Sequence, residues 1–191
     1  KVLEDVEAVI ANTFRDTQSL EKIEKGQQVA IAVGSRGVNQ LSRIVLAVVN
    51  EIKNLGAVPV IVPAMGSHGG ATAEGQRAVL EGFGITESAM GCSIVASMDT
   101  ILLGHTPEGL PIYFDRVASA SDHIVVVNRI KPHPRLVGRY ESGLIKMMMI
   151  GLGKHQGAST YHQFFPDYDY CLDHLVNSVV DLLLERMPIT C

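Results

Sequence analysis

Three basic side chains follow three predicted strands, close to the point where each strand ends. Arg36, His68 and His133 each lie within a few residues of an apolar, β-branched run. The runs are Val29–Val33, Val58–Val62 and Ile124–Val127. Ligands of open α/β sheets collect in the crevice outside the carboxyl ends of the strands. Because a fourth segment, Ser142–Lys146, adds an amine, the pattern predicts a site for an anionic substrate or cofactor.

Arg36 lies in a Gly34-Ser35-Arg36-Gly37 turn between a predicted strand and a predicted helix. Backbone N–H groups at a helix N-terminus bind anions, and a guanidinium adds a bidentate donor for carboxylate or phosphate. The turn is neither a Gly-x-Gly-x-x-Gly fingerprint nor a P-loop. A tight turn with an exposed arginine is the alternative interpretation.

The two imidazoles stand in contrasting loops. His68 lies among three glycines in Gly66–Gly70, and such a loop is costly to order unless its conformation is required. His133 lies between two prolines in Lys131–Pro134, which restrict the backbone on both sides. Either ring could act as an acid or a base near neutral pH. The alternatives are a surface loop and a rigid surface turn.

Lys146 lies inside an apolar run, so it is either desolvated and nucleophilic or extended to solvent, and composition favours the second. His155 and His162 are seven residues apart and share a face if Lys154–Phe165 is helical. Either could bind a metal, although two histidines at that spacing are weak evidence for a metal site.

The elements that would position these side chains alternate between strands and helices. Gln28–Val33 and Val58–Val62 read as buried strands, and the apolar positions from Leu41 to Ile52 recur at helical spacing between them. This βαβ pattern predicts parallel strands. The other predicted helices are Val2–Phe14, Thr72–Gly82 and Asp169–Leu184, and the other predicted strands are Ser93–Ala96, Ile101–Leu103, Ile112–Phe114 and His123–Asn128.

Composition disfavours several classes of protein. The chain has 191 residues and a net charge of −4, without a basic run, which disfavours nucleic-acid binding. It contains no apolar run long enough for a membrane span. Its three cysteines are far apart, which disfavours a zinc ribbon and suits a reducing cytoplasm. The sequence is compatible with a homo-oligomer.

The ordered set of motifs resembles the N-terminal domain of the lactate racemase family. The motifs are Gly-Ser-Arg-Gly with Arg36, Gly-Ser-His-Gly-Gly with His68, Lys-Pro-His-Pro with His133, Ser-Gly-Leu-Ile-Lys with Lys146, and Tyr161-His162. The resemblance implies an α/β fold with a mainly parallel sheet and flanking helices, as in the Rossmann-like N-terminal domain of a two-domain enzyme. Residues 1–191 would form one cofactor-binding and catalytic domain, and the family's second, C-terminal domain is absent from this chain.

The resemblance also implies a cofactor, the nickel-pincer nucleotide (pyridinium-3,5-bisthiocarboxylic acid mononucleotide with nickel). Lys146 would hold it covalently, and His162 would be the protein ligand of the nickel, with His155 as its rival. Loop residues would line the cofactor: Gly34, Ser35, Gly69, Ser142 and Gly143. Enzymes that synthesise this cofactor would be partners of the protein.

The implied reaction is the racemisation or epimerisation of a 2-hydroxy acid by hydride abstraction and return. His68 and His133 would be the acid–base pair, and Arg36 would bind the substrate carboxylate or support the transferring groups. Around Arg36 the sequence lacks the acidic residue and the prolines that the family often has, and Leu144 and Ile145 replace the usual glycines before the lysine. A non-catalytic module that binds a nucleotide or a metal is the alternative, and a metal-free epimerase that uses the two histidines is a second enzyme reading.

Overall fold

A parallel sheet covered on both faces organises the chain. The computed structural model describes residues 5–129, 143–168 and 175–191. The strands are β1 (Gln28–Val33), β2 (Val58–Pro63), β3 (Ser93–Ile94), β4 (Thr100–His105), β5 (Pro111–Asp115) and β6 (His123–Val127). The helices are α1 (Val6–Thr17), α2 (Leu41–Asn54), α3 (Ala73–Gly82), α4 (Glu87–Met90), α5 (Arg116–Ser119), α6 (Leu144–Lys146), α7 (Lys154–Phe164) and α8 (Val176–Arg186).

Four strands of the described chain form the sheet in the order β3-β2-β1-β6, and all their pairings are parallel. β4 and β5 form a separate antiparallel hairpin. The expected α/β fold with a mainly parallel sheet is therefore confirmed. Because β2 lies on one side of β1 and β6 on the other, the strand order reverses at β1. A crevice at the carboxyl ends of the strands is expected at such a reversal.

Strand alternation explains the two cores. Ala30 and Ala32 of β1 pack into one cluster with the β4–β5 hairpin, α7 and α8. Val29, Ile31 and Val33 pack into the other with α2 and α3. Because successive side chains of a strand point to opposite faces, a strand buried on both faces is apolar at every position.

Two helix boundaries differ from their predictions. Over the described residues α1 ends at Thr17 rather than Phe14; Asp5 Oδ1 caps it by accepting the Ala8 N–H at 2.9 Å. The sequence predicts that the last helix ends at Leu184, but α8 continues to Arg186 and ends because Met187, which precedes a proline, is extended. The start predicted for each of these helices lies outside the described residues.

Several short elements have no counterpart among the predicted ones. They are α4, α5 and a π-helical turn over Met147–Gly151. The segment after α8 also pairs with the sheet, since Thr190 N–H donates to Ile124 O at 2.8 Å and Ile124 N–H donates to Pro188 O at 2.9 Å. Within the described ranges, every helix is too short or too polar to cross a membrane.

Candidate active site

The loops that follow β1 and β2 meet at the carboxyl edge of the sheet. Ser35 and Arg36 come directly after β1, and His68 comes five residues after the end of β2. Ser35 Oγ and His68 Nδ1 form a hydrogen bond that joins the two loops. The bond occupies one ring nitrogen, and Nε2 has no hydrogen-bond partner among the described residues.

Two positive charges lie close to this imidazole. His68 is an exposed residue, although the protein partly desolvates its ring. Partial burial lowers its pKa, and the positive charges of Arg36 and Lys146 lower it further. The structure thus brings together three of the predicted site residues, which come from three different segments. Two cations that act on one imidazole form an arrangement that suits an anionic ligand.

Arg36 is exposed, and it forms no ion pair with the carboxylates of the described residues. The turn that carries it does not lead directly into a helix, because α2 begins only at Leu41 after the left-handed residue Gln40. Anion binding at this turn would therefore depend on the guanidinium and the loop rather than on a helix N-terminus.

Lys146 is half-buried at the end of α6. The segment before it is attached to the end of β6, since Asn128 Nδ2 donates to Gly143 O at 3.0 Å. Gly143 has a φ of 102°, in the region that favours glycine. This contact brings the lysine segment to the same sheet edge as the loops after β1 and β2. Lys146 is thus neither fully desolvated nor fully extended to solvent, the two alternatives that its sequence context predicts.

The remaining loop glycines are required for close packing. A Cβ on Gly34 would lie 3.1 Å from Met147 Sδ, so this glycine lets the β1 loop approach the π-helical turn. Gly69 has a φ of 66°, and a Cβ added to it would lie 2.5 Å from the backbone of Gly75 in α3. The structure therefore assigns Gly69 a packing contact with α3, in addition to the role predicted for it in lining a cofactor.

Other predicted site residues are placed differently. His133 and Ser142 lie outside the described residues. His155 and His162 are both exposed on α7. The described ranges contain no cluster of three or more histidine, cysteine, aspartate or glutamate side chains that could hold a metal ion by themselves.

Sequence reasoning missed a set of buried polar residues beneath the His68 loop. Gln76, Asp115 and Lys154 have no exposed surface. Lys154 Nζ lies 2.9 Å from Asp115 Oδ2, and Gln76 Nε2 donates to Gly66 O at 2.8 Å. A signal for Gln76 was present in the sequence, because it lies one turn before the buried Leu80 on the inward face of a predicted helix. Lys154 follows an apolar stretch, which also indicates burial.

A family model described as the lactate racemase N-terminal domain matches residues 1–169 of the chain. A search of curated proteins gave no match. The matched span includes all the predicted site residues and all four strands of the parallel sheet.

Proposed function

The chain belongs to the lactate racemase N-terminal domain family, and we propose that it forms the cofactor-binding and acid–base half of a 2-hydroxy acid racemase or epimerase. The observation that carries the proposal is the hydrogen bond between Ser35 Oγ and His68 Nδ1, which joins the loops after β1 and β2, and the positive charges of Arg36 and Lys146 act on the same imidazole. Together they would supply a carboxylate-binding group, an amine and a proton acceptor at one sheet edge. A second domain outside this chain would complete the enzyme.

The residues present fit a nucleotide cofactor that is attached to an amine. Lys146 would hold the nickel-pincer nucleotide, and the two cations near His68 suit its phosphate and carboxylate groups. A metal that arrives with its own sulfur and carbon donors needs little from the protein, which agrees with the lack of a multi-residue ligand cluster among the described residues. The proposed protein ligand is His162, with His155 as the alternative. When bound, this cofactor supplies a hydride acceptor and donor.

His68 would hold and release the proton of the substrate hydroxyl. When Nδ1 carries the ring hydrogen and donates it to Ser35 Oγ, the lone pair of Nε2 can accept a proton. Its lowered pKa keeps the ring neutral near pH 7, as a base requires. His133 would be the second base, because the two enantiomers present their hydroxyl groups on opposite sides when the α-hydrogen of each faces the same hydride acceptor.

Arg36 would bind the substrate carboxylate. Its guanidinium is exposed and free of ion pairs with the described carboxylates, and the fork of N–H donors matches a carboxylate in bidentate geometry. A bound carboxylate would place the neighbouring α-carbon and its hydroxyl within reach of His68. Lactate, malate and sugar acids share this carboxylate and α-hydroxyl.

Racemisation of a single enantiomer tests the proposal. The full-length protein would be co-expressed with the enzymes that synthesise the cofactor, and chiral chromatography would follow one enantiomer of lactate or malate. We expect the wild-type protein and the control Lys22→Ala, which changes an exposed lysine of the same chain, to racemise the substrate. Lys146→Ala should abolish turnover, and His68→Ala should lower it about 10²- to 10⁴-fold.

Two results would contradict this account. Turnover that survives both Lys146→Ala and removal of nickel would indicate a metal-free epimerase. Nucleotide or metal binding that leaves every 2-hydroxy acid unchanged, with affinity insensitive to Lys146→Ala, would indicate a non-catalytic binding module.

A further inference from the structure

A buried polar relay lies directly beneath the loop that carries His68. Lys154 is at its centre: Nζ lies 2.9 Å from Asp115 Oδ2, donates to Pro63 O, and lies 3.4 Å from Gln76 Oε1. Asp115 is held in turn, since its Oδ1 accepts the Ala118 N–H at 2.7 Å. The ammonium therefore joins the end of β2, the end of β5 and the side chain of an α3 residue.

The relay ends at the main chain of the His68 loop. Gln76 Nε2 donates to Gly66 O at 2.8 Å and to His68 O at 3.3 Å. The ammonium of Lys154 can only donate, so it requires the oxygen of the Gln76 amide. This requirement directs the amide nitrogen at the two loop carbonyls. The Asp115–Lys154 pair thus sets the orientation of the group that holds the loop.

The His68 loop needs hydrogen bonds from outside itself, because its glycine-rich sequence does not favour a single backbone conformation. Gly66, Gly69 and Gly70 all have φ between 61° and 66°, and Ala71 has a φ of 57°. Glycines lose more conformational freedom on ordering than other residues do. Two hydrogen bonds from one buried amide would offset part of that cost at the residue that carries the imidazole.

Burying these charged groups also costs free energy, and a contribution to stability alone does not explain that cost. A buried ion pair is often no more stabilising than apolar side chains of the same volume, because both charges lose their hydration. Lys154 in addition has a φ of 54°, which is unfavourable for a residue with a Cβ. Costs of this kind recur at functional sites, where the surrounding structure compensates for them.

We propose that Gln76, Lys154 and Asp115 are positioning residues that hold the His68 main chain at the sheet edge, next to Arg36 and Lys146. Because Lys154 is also the first residue of α7, the relay connects the main chain of His68 to the helix that bears His155 and His162. The catalytic consequence rests on the proposed function, whereas the positioning itself does not.

The titration of His68 in the metal-free protein tests the positioning. It can be followed by NMR of the imidazole carbon-bound hydrogens, without substrate or cofactor. In Gln76→Leu both hydrogen bonds from the Nε2 amide to the loop are lost, so the ring should move away from the two cations and become more fully hydrated, and its pKa should rise toward the ordinary histidine value. Val79→Ala trims an apolar, partly buried residue of the same helix and should leave the titration unchanged.

A double variant tests the charged pair without leaving one charge buried alone. Lys154→Met with Asp115→Asn removes both charges, and the asparagine oxygen can still accept the Ala118 N–H. Circular dichroism would verify folding, and the His68 pKa should rise as in Gln76→Leu. If the titration of His68 in both folded variants equals that of the wild type, the positioning role is wrong.

The activity of the enzyme with its cofactor bound gives an independent test of the positioning role. Misplacement of a catalytic group by about 1 Å costs about 10²-fold in rate, so kcat of Gln76→Leu should fall by about that factor while KM changes little. A shifted titration in a protein without racemase activity would support the positioning role and contradict the proposed function, so the two failures are distinguishable.

Discussion

At the scale of single residues, partial burial and two nearby charges determine how His68 titrates. Burial lowers its pKa most, and the positive charges of Arg36 and Lys146 lower it further. Protonation would place a third positive charge beside the other two. The ring therefore stays neutral to a lower pH than an isolated histidine does. If the reaction uses this ring as a base, its rate should remain high at pH values somewhat below the ordinary histidine pKa of about 6.5.

Removing the Arg36 charge should raise the pKa of His68. Arg36→Gln deletes one of the two repulsive charges, so protonation becomes easier, although burial and Lys146 still oppose it. NMR titration of the imidazole measures the shift directly. Arg43→Gln is the matched control, because Arg43 lies in α2 and pairs with Glu7 at 2.6 Å. A pKa that stays the same or falls in Arg36→Gln would show that the guanidinium does not act on the ring.

The site residues could be predicted from sequence only where local patterns reveal them. Arg36 and His68 follow apolar strands, so the sheet-edge rule predicts that their loops meet, and the hydrogen bond between Ser35 and His68 joins those two loops. The partners of Lys154 could not be predicted, because Pro63 lies 91 residues away in the sequence and Gln76 lies 78 residues away. Nothing in the local pattern of α7 indicates which distant carbonyl or amide its lysine meets.

At the scale of elements, the contact between α3 and the His68 loop depends on two glycines. A Cβ on Gly75 would lie 1.8 Å from Gly69 O, so no side chain fits between the helix and the loop. At Gly82, the other end of α3, an added Cβ would have nothing within 4 Å. The same substitution should therefore have opposite effects at these two positions.

Gly75→Ala should lower the free energy of unfolding by about 1–3 kcal/mol or more, because the loop must shift away from the helix. Gly82→Ala should raise it by as much as about 0.5–1 kcal/mol, since alanine loses less conformational freedom in a helix. Urea denaturation of the two variants measures both changes. Equal destabilisation by the two substitutions would mean that the close approach of loop and helix is not maintained in solution.

Long periodic elements were predictable, and short ones were not. α2 has enough apolar positions to show its helical period, and β1 and β2 are continuous apolar runs; all three lie where the pattern indicates. α4 and α5 have four residues each, about one helical turn, so no periodicity can develop in them. The π-helical turn at Met147–Gly151 is apolar throughout, and its sequence gives no period at all.

At the scale of the whole molecule, the topology explains how distant segments form one site. β1 lies between β2 and β6 in the sheet. The loops that follow β1 and β2 and the segment that is attached to the end of β6 therefore reach the same edge of the sheet. The segment after α8 adds to the other side of β6 through Thr190. The parallel arrangement could be predicted from the strand–helix–strand spacing. The pairing of Pro188–Thr190 with β6 could not, because it joins segments that are far apart in the sequence.

The central claim is that Lys146 holds a nickel-bearing nucleotide beside His68. Its most direct test is intact-mass spectrometry with metal analysis and peptide mapping of the full-length protein, co-expressed with the cofactor-synthesis enzymes. We expect a nucleotide-sized adduct that maps to Lys146, about one nickel per chain as the pincer cofactor requires, and loss of both in Lys146→Ala. An unmodified mass without nickel, from cells in which the synthesis enzymes are active, would contradict the claim.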